Sequence, residues 1–307
     1  MKIQEFISRL ENEIKKTKDS HEQANQLSRL KAIMEKYNGQ DKLISSFELA
    51  EKIKTRPEEL KIMSGWSGLD SILKGFRLKQ LITIAAPTKS GKSSFCVDLT
   101  GRLKEYNPLW FPFEEGAEEL IQKFLDRNEQ PPLFYTPETT KVNNLDWIEE
   151  KIIEAIAKFD SKIVFIDHLH FIVPFSQERQ DLKIGETMRA LKGLAKKWDI
   201  VIFLIAHLKK TKLDTHPDLE DLRDSSFVAQ ESDTVIMIWR QTEKGKKGEV
   251  VITDNVNVSV QANRRTGKTG NIKMIYDNGK FIEKEWSRDT EDKIENETFG
   301  NFKSLDF

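Results

Sequence analysis

The sequence predicts an α/β chain: a mostly parallel sheet covered by helices on both faces, with an N-terminal helical arm before it and C-terminal β-hairpins after it. Three observations predict this. Between residue 64 and about residue 285, short runs that are apolar on both faces alternate with amphipathic stretches, the pattern of buried parallel strands joined by helices. After Arg240 the helical periodicity stops, and strand-like runs separated by turn residues take over. The first ~60 residues are polar and lysine-rich, lack glycine before Gly39, and place their apolar residues at helical spacing.

In the arm, Ile3, Ile7, Leu10 and Ile14 recur at three and four and mark a first helix. Ser20-His21-Glu22-Gln23 reads as a capping box opening a second, with Leu27, Leu30 and Met34 on one face and Gly39 as its stop. Ser45-Ser46-Phe47-Glu48 is another capping box and opens a short helix through Ile53. These helices carry too few apolar residues for a core of their own. The arm, residues 1–63, is therefore either solvated or an assembly element that docks on a neighbouring subunit, because marginal helices need a partner surface to persist. Within residues 64–286 the strands are read at 81–85, 108–113, 163–166, 200–205 and 234–238. The stripe Ile184, Met188, Leu191, Leu194 and Ala195 marks a helix between two of them. Residues 249–286 read as hairpins, with turns at Thr253-Asp254-Asn255 and Asp277-Asn278-Gly279. Residues 287–307 are charged and without apolar periodicity, and are expected to form a flexible acidic tail.

At 307 residues the chain fits one large domain or two small ones. Lys and Arg total 49 against 50 Asp and Glu, a formal charge of −1, which argues against a general electrostatic grip on nucleic acid but leaves room for a local basic channel. The single cysteine, Cys96, excludes a disulfide framework and a cysteine-rich zinc site, and reads as a small core residue inside a helix. No apolar run reaches the ~18 residues that span a bilayer, and the first residues lack an apolar signal core. The expectation is a soluble cytoplasmic protein with no membrane partner.

The chemical signal is Ala86-Pro87-Thr88-Lys89-Ser90-Gly91-Lys92-Ser93, which follows a predicted strand and opens a predicted helix. This is the phosphate-loop pattern with Ala in place of the first Gly. Backbone N–H groups of such a loop converge on phosphate oxygens, and Gly91 lets the backbone come close. Lys92 reaches the β- and γ-phosphates, the Ser93 hydroxyl takes a place on Mg2+, and the helix N-terminus, continuing through Ser94, adds its dipole. A phosphate loop needs an acid at the end of another strand. Asp167, closing Ile163-Val164-Phe165-Ile166, supplies one that holds Mg2+ through water and Ser93. Hydrolysis also needs a group that orients water. Glu114 ends the run 110–113 and Glu115 follows it. They read either as the site of the catalytic base or as the solvated acidic start of a helix near 117–124.

Ser64-Gly65-Trp66-Ser67-Gly68-Leu69-Asp70, then Gly75-Phe76-Arg77, then the phosphate loop, resemble the entry to the RecA-type motor domain of DnaB-family replicative helicases. Further segments follow in that family's order. They are Phe113-Glu114-Glu115, Asp167-His168-Leu169-His170, Arg189-Ala190-Leu191-Lys192-Gly193-Leu194-Ala195-Lys196, Ala206-His207-Leu208-Lys209, Asp221-Leu222-Arg223-Asp224-Ser225-Ser226 and Arg264-Arg265-Thr266-Gly267-Lys268-Thr269-Gly270. The resemblance covers roughly residues 64–285 and implies a RecA-like P-loop NTPase core. It also implies an ATP-driven homo-hexameric ring that uses Mg2+, translocates 5′→3′ on single-stranded DNA and unwinds duplex. Glu114 stands where the family keeps its catalytic glutamate. His207 is implied as a γ-phosphate sensor, similar to that of the phage and mitochondrial branch. An arginine finger for the neighbouring subunit's nucleotide is implied at Arg265 by DnaB spacing and at Arg264 by phage-branch spacing. Arg240 and Tyr276 are implied as brackets for adenine, with hairpin packing as the alternative.

Loops at 175–181 and about 213–227 are implied to face DNA in the pore, where Arg223, Asp224, Ser225 and Ser226 follow phosphates without reading bases. The run Lys209-Lys210-Thr211-Lys212 adds positive charge there or is a solvated loop. The chain departs from the family in two places. His170 stands where a Gln is usual, and the globular N-terminal domain has no counterpart in the arm. His168 and His170 read as structural, since with His216 they lack the spacing of a closed zinc site. The end of the tail, Phe299 to Phe307, resembles the polymerase-contacting tails of phage replicative helicases, or is a free end with incidental aromatics. Two other readings share the phosphate loop: a RecA-like recombinase or regulatory ATPase, and a replisome scaffold that binds nucleotide without unwinding.

Overall fold

The structure, a computed structural model, describes residues 3–38, 43–56, 58–87, 90–174, 180–208, 217–222, 225–244 and 250–284. Two helices, α1 (Ile3–Ile14) and α2 (Ser20–Asn38), precede α3 (Ser46–Lys54). A two-stranded ribbon, β1 (Lys61–Ile62) and β2 (Phe76–Arg77), flanks α4 (Ser67–Leu73). Alternating elements follow: β3 (Gln80–Ala86), α5 (Lys92–Arg102), β4 (Leu109–Pro112), α6 (Ala117–Leu125), α7 (Leu145–Phe159), β5 (Ile163–Asp167), α8 (Gln180–Trp198), β6 (Val201–His207), α9 (Ser225–Glu231) and β7 (Thr234–Lys244). The chain then runs through β8 (Val250–Asn263), β9 (Gly270–Asp277) and β10 (Lys280–Glu283).

Eight strands form one sheet in the order β10-β9-β8-β7-β3-β6-β5-β4. The block from β7 to β4 is parallel, and β8, β9 and β10 extend it as antiparallel hairpins. The α/β class with a mostly parallel sheet is the one the sequence predicts. The parallel strands read as continuous apolar runs because both of their faces are covered. Leu81, Phe111, Val164, Ile166, Ile202 and Leu204 pack with α7 and α8, while the residues between them, such as Ile82, Trp110, Phe165 and Phe203, pack with α4, α5 and α6. On the latter face Trp110, Phe165 and Phe203 stack in series with ring centroids 4.6 and 4.8 Å apart, and Phe76 meets Phe203 edge-on at 4.9 Å.

The arm divides in two. α1 and α2 fold back on their own chain: Phe6, Ile7, Leu10, Ile14, Leu30 and Ile33 are buried in the same core as Trp147, Ile148 and Ile152 of α7. Arg29 of α2 donates to the carbonyls of Ala157 (3.0 Å) and Lys158 (3.1 Å), which lie in the last turn of α7 and have no acceptor role left inside the helix. A stripe too narrow for a core of its own therefore completes a face of the main one, so this half of the arm is not solvated. α3 differs: it buries none of its residues, and Phe47 is 83% exposed.

Two local readings change. The second helix is capped by Asp19, whose carboxylate accepts from the Glu22 N–H at 2.9 Å, rather than by Ser20. Thr253-Asp254-Asn255 is not a turn. β8 runs through it, and the three residues bulge opposite Gln241 between the pairs Arg240–Val256 and Thr242–Ile252. Arg240 fills the bulge, its Nε donating to the Thr253 carbonyl at 2.8 Å and its Nη2 to Asp254. The predicted turn at Asn278-Gly279 does form, with φ of 45° and 82° between the paired Asp277 and Lys280. Gly279 is needed for space as well as for φ, because a Cβ there would strike the Arg127 guanidinium. Gly39 and the tail 287–307 lie outside the described residues, and no described helix is long and apolar enough to cross a membrane.

Packing of α1 on its own chain has a direct test. Leu10→Ala should lower the unfolding free energy by about 2–5 kcal/mol in urea titrations of dilute protein. Phe47→Ala, on the exposed α3, should change it by no more than about 0.5 kcal/mol.

Candidate active site

The site begins with strand register. Ala86 pairs with His207, Ile205 with Asp167, and Asp167 with Pro112, so β3, β6, β5 and β4 end side by side. Ligands of open α/β sheets sit outside such carboxyl ends. After β3 the chain turns with a Ser90 N–H to Pro87 carbonyl bond of 3.1 Å and enters α5 through Gly91 at φ 88°, a left-handed value that suits glycine. Thr88 and Lys89 lie outside the described residues. The first helical N–H groups, those of Lys92, Ser93 and Ser94, have no carbonyl partner within the helix, and such a helix start is a ready anion site.

The Ser93 hydroxyl donates to Asp167 Oδ2 at 3.0 Å. Asp167 is 2% exposed, and its Oδ1 has no hydrogen-bond partner among the described residues. Burial pushes the Asp167 carboxyl up to about 6; nearby Lys92 opposes the rise and Glu114 adds to it. A buried carboxylate with one oxygen unused, beside a serine hydroxyl, is an oxygen donor set of the kind Mg2+ takes, so these residues fit that ion.

Glu114 follows β4 in a turn held by its own N–H on the Asp167 carbonyl at 3.1 Å. Its Oε2 is the meeting point of three side chains: Lys92 Nζ at 3.3 Å, His168 Nδ1 at 3.0 Å and His207 Nε2 at 3.6 Å. Burial pushes the Glu114 carboxyl up, but the charge of Lys92, with the two histidines, outweighs it and holds the group below the ordinary carboxylate range. His168 goes the other way. Burial, and then the neighbouring His207, bring it down to about 4, so it is neutral at pH 7. An ionised carboxylate only accepts, so the neutral His168 carries its proton on Nδ1 and donates it to Glu114. The sequence reading assigns His168 a structural part and misses this contact. Its only signal is position, directly after the acid that ends β5.

Arg264 and Arg265 sit elsewhere. They follow β8 at the opposite end of the sheet, where the Arg264 N–H bonds the Asp233 carbonyl and the Asp233 N–H bonds that of Leu81, at the start of β3. The length of β3, about 20 Å at the rise of a strand, separates them from the phosphate loop. Arg240 and Tyr276 do come together on the loop side, with the guanidinium 4.8 Å from the ring centroid. At that distance nothing lies between them, so a base would stack against an outer face of the pair. The β9–β10 hairpin that carries Tyr276 abuts the loop: a Cβ on Gly91 would meet the Phe281 ring at 3.5 Å. Trp66 Nε1 donates to the Phe281 carbonyl at 2.7 Å and Trp66 stacks on Phe95 of α5 at 4.8 Å, while Asp70 accepts from the Ser64 and Gly65 N–H groups. The segment 64–70 is thus an anchor for hairpin and helix. Arg223 and Asp224 lie outside the described residues, as do 175–179 and 209–216; Ser225 and Ser226 open α9.

A phosphate loop and a strand-end acid on a doubly covered parallel sheet define a P-loop nucleotide-binding domain. The family described as DnaB-like helicase C terminal domain matches residues 128–282, a stretch that holds Asp167, His207, Arg240, Arg264 and Arg265 and begins after the phosphate loop and Glu114. A probable replicative DNA helicase of Trieres chinensis is 24% identical over 275 residues, which are 76% of this chain and 60% of that protein. The replicative DNA helicase DnaB of Geobacillus stearothermophilus is 22% identical over 279 residues, 78% of this chain and 60% of that one. Among solved structures, a DnaB-like replicative helicase described with its interactions with primase superposes with a TM-score of 0.66 at 18% identity, over 86% of this chain and 76% of that one. A second solved structure, described as an ATPase domain, superposes with a TM-score of 0.64 at 19% identity, over 78% of this chain and 97% of that one. The chain belongs to the DnaB-like helicase C-terminal domain family, and it spans about 60% of the length of these curated relatives.

The raised Asp167 carboxyl has a measurable consequence. Between the ordinary 3.8 and about 6, the folded chain holds a proton that the unfolded chain has released. That proton by itself makes stability fall as pH rises through the window, while His168, held at about 4 against an ordinary 6.5, makes it rise between about 4 and 6.5, so the two terms oppose each other in the parent. Asp167→Asn removes the charge and keeps an acceptor for Ser93. Urea unfolding at pH 7 should show it more stable than the parent by about 2–3 kcal/mol, a gap that opens as pH rises from 4 to 6.

Proposed function

We propose that this chain is the motor of a replicative DNA helicase: a homo-hexameric ring that hydrolyses ATP with Mg2+, moves 5′→3′ on single-stranded DNA and unwinds duplex. The observation that carries this is the separation of two half-sites. One end of the sheet gathers the phosphate loop, Asp167, Glu114 and His207, and the arginine pair leaves the other end, too far away to serve the same nucleotide. Complete chemistry then needs a second copy.

In this reading the N–H groups of residues 90–94 and the Lys92 ammonium hold the β- and γ-phosphates. Ser93 and Asp167 hold Mg2+, which when bound neutralises phosphate charge. Glu114 orients the attacking water. In the nucleotide-free chain Lys92 lies against Glu114 at 3.3 Å, so a γ-phosphate that draws Lys92 away frees the base only when there is something to cleave. His207 reports the γ-phosphate to the segments that follow β6, a role its position beside Glu114 supports. Arg265, with Arg264 as its alternate, enters from the neighbouring subunit and clamps phosphate oxygens as a charge that is never lost. The exposed Phe47, Leu49 and Ile53 of α3 suit docking on that same neighbour. Arg223, Asp224, Ser225 and Ser226 follow the DNA backbone in the pore. The acidic tail, 287–307, is the candidate contact for a polymerase or another replisome protein.

Two measurements test the reading. Arg265→Ala and Lys92→Ala proteins should each be inactive as ATPases, and mixing them should restore part of the DNA-stimulated hydrolysis in shared rings. No rescue at any ratio, with rings confirmed by electron microscopy, counts against an arginine acting in trans. Glu114→Gln should lower kcat by about 100-fold or more while nucleotide affinity stays within about threefold, since the group acts on water rather than on the phosphates.

A further inference from the structure

Three metal-ligating side chains converge at Glu114. One ligand atom each from Glu114, His168 and His207 lies within 4.8 Å of the other two, and Glu114 Oε2 is 3.0 Å from His168 Nδ1 and 3.6 Å from His207 Nε2. Tetrahedral zinc with bonds of about 2.0–2.1 Å separates neighbouring ligand atoms by about 3.3 Å, and the two contacts straddle that value. The three side chains come from separate, rigidly placed positions: a turn bonded to the Asp167 carbonyl, the residue after β5, and the last residue of β6. Two imidazoles and one carboxylate with a fourth position open is a recurrent zinc donor set. It differs in kind from the oxygen set at Ser93 and Asp167. Hard Mg2+ prefers the latter, and a borderline ion prefers the nitrogens.

We propose that Glu114, His168 and His207 form a binding site for a divalent transition metal of the zinc class, filled in the nucleotide-free chain and blocking hydrolysis while filled. The metal takes the Nδ1 lone pair of His168, whose ring proton moves to Nε2, and the Nε2 lone pair of His207. It displaces the Lys92 ammonium from Glu114. The blocking half rests on the proposed roles of Glu114 and His207; the binding half does not.

Cobalt(II) is the probe, because a tetrahedral site gives it strong visible absorption and an octahedral site does not. The one cysteine is buried in α5, so thiolate bands do not intrude. Titration of the nucleotide-free full chain with cobalt chloride should give the tetrahedral spectrum at one equivalent. Affinity should fall at least about tenfold in His168→Ala and in the more exposed Glu114→Gln, and should stay unchanged in Ser93→Ala. Only octahedral bands in the parent, or a tetrahedral spectrum unaltered in both variants, would overturn the site. Zinc chloride should suppress hydrolysis at saturating Mg2+ in proportion to occupancy, and cobalt bound without such suppression overturns the blocking half. Full hydrolysis by metal-free Glu114→Gln would instead overturn the proposed role of Glu114 and leave the binding result standing.

Discussion

The pairings Ala86 with His207, Ile205 with Asp167 and Asp167 with Pro112 make four parallel strands end along one edge, and every group of the candidate site hangs from that edge. A slip of one residue in any of these ladders would turn its terminal side chain to the other face. The aromatic series Trp110, Phe165 and Phe203 guards against such a slip, because it spans β4, β5 and β6 and stacks only in the observed register. Packing deep in the sheet is thereby tied to the position of a carboxylate at its rim. Lys92 and Ser93 meet the same edge from α5, whose entry is set by the left-handed Gly91.

The charges of the site's own side chains are uneven. Two carboxylates, Asp167 and Glu114, share one ammonium, Lys92, and the adjacent His168 is neutral. Asp167 is the more deeply buried of the two, and its Oδ1 has no hydrogen-bond partner among the described residues. An incoming metal–phosphate pair suits this imbalance from both sides. In the proposed reading Asp167 would hold the dication, Lys92 would turn to the phosphate, and Glu114 would lose the cation that holds it. In the proposed function, binding would rearrange charges that burial already opposes, and Glu114 would act only once nucleotide had drawn Lys92 away.

Much of this was legible in residues alone, for definite reasons. A strand covered on both faces must be apolar throughout, so β3, β5 and β6 stood out, and the loop after β3 carried its own chemical signature. What stayed hidden depended on partners far away in the chain. The stripe Ile7, Leu10 and Ile14 says that a helix has an apolar face, not that α7 lies under it. Thr253-Asp254-Asn255 has turn chemistry because a bulge needs the same small polar residues, and only the approach of Arg240 distinguishes the two. His168 looks the same in sequence whether its ring meets a core or a carboxylate. The difference is made by Glu114, which stands 54 residues earlier and arrives through the pairing of β4 with β5.

Two features of the described residues lie at separate places, and one kind of contact would bring both into use. Arg264 and Arg265 leave the sheet a full strand length from the phosphate loop, a gap no side chain can cross. α3 holds Phe47, Leu49 and Ile53 in water although each would gain by burial. If copies of the chain met through different patches, head to tail, the finger of one could reach the nucleotide of the next while α3 found a surface to cover it. Such an interface repeats, and it closes when the rotation between copies divides a full turn. In the proposed ring, assembly and hydrolysis then depend on the same contact, so a lone copy can hold nucleotide at its strand ends and still lack the charge that completes the reaction.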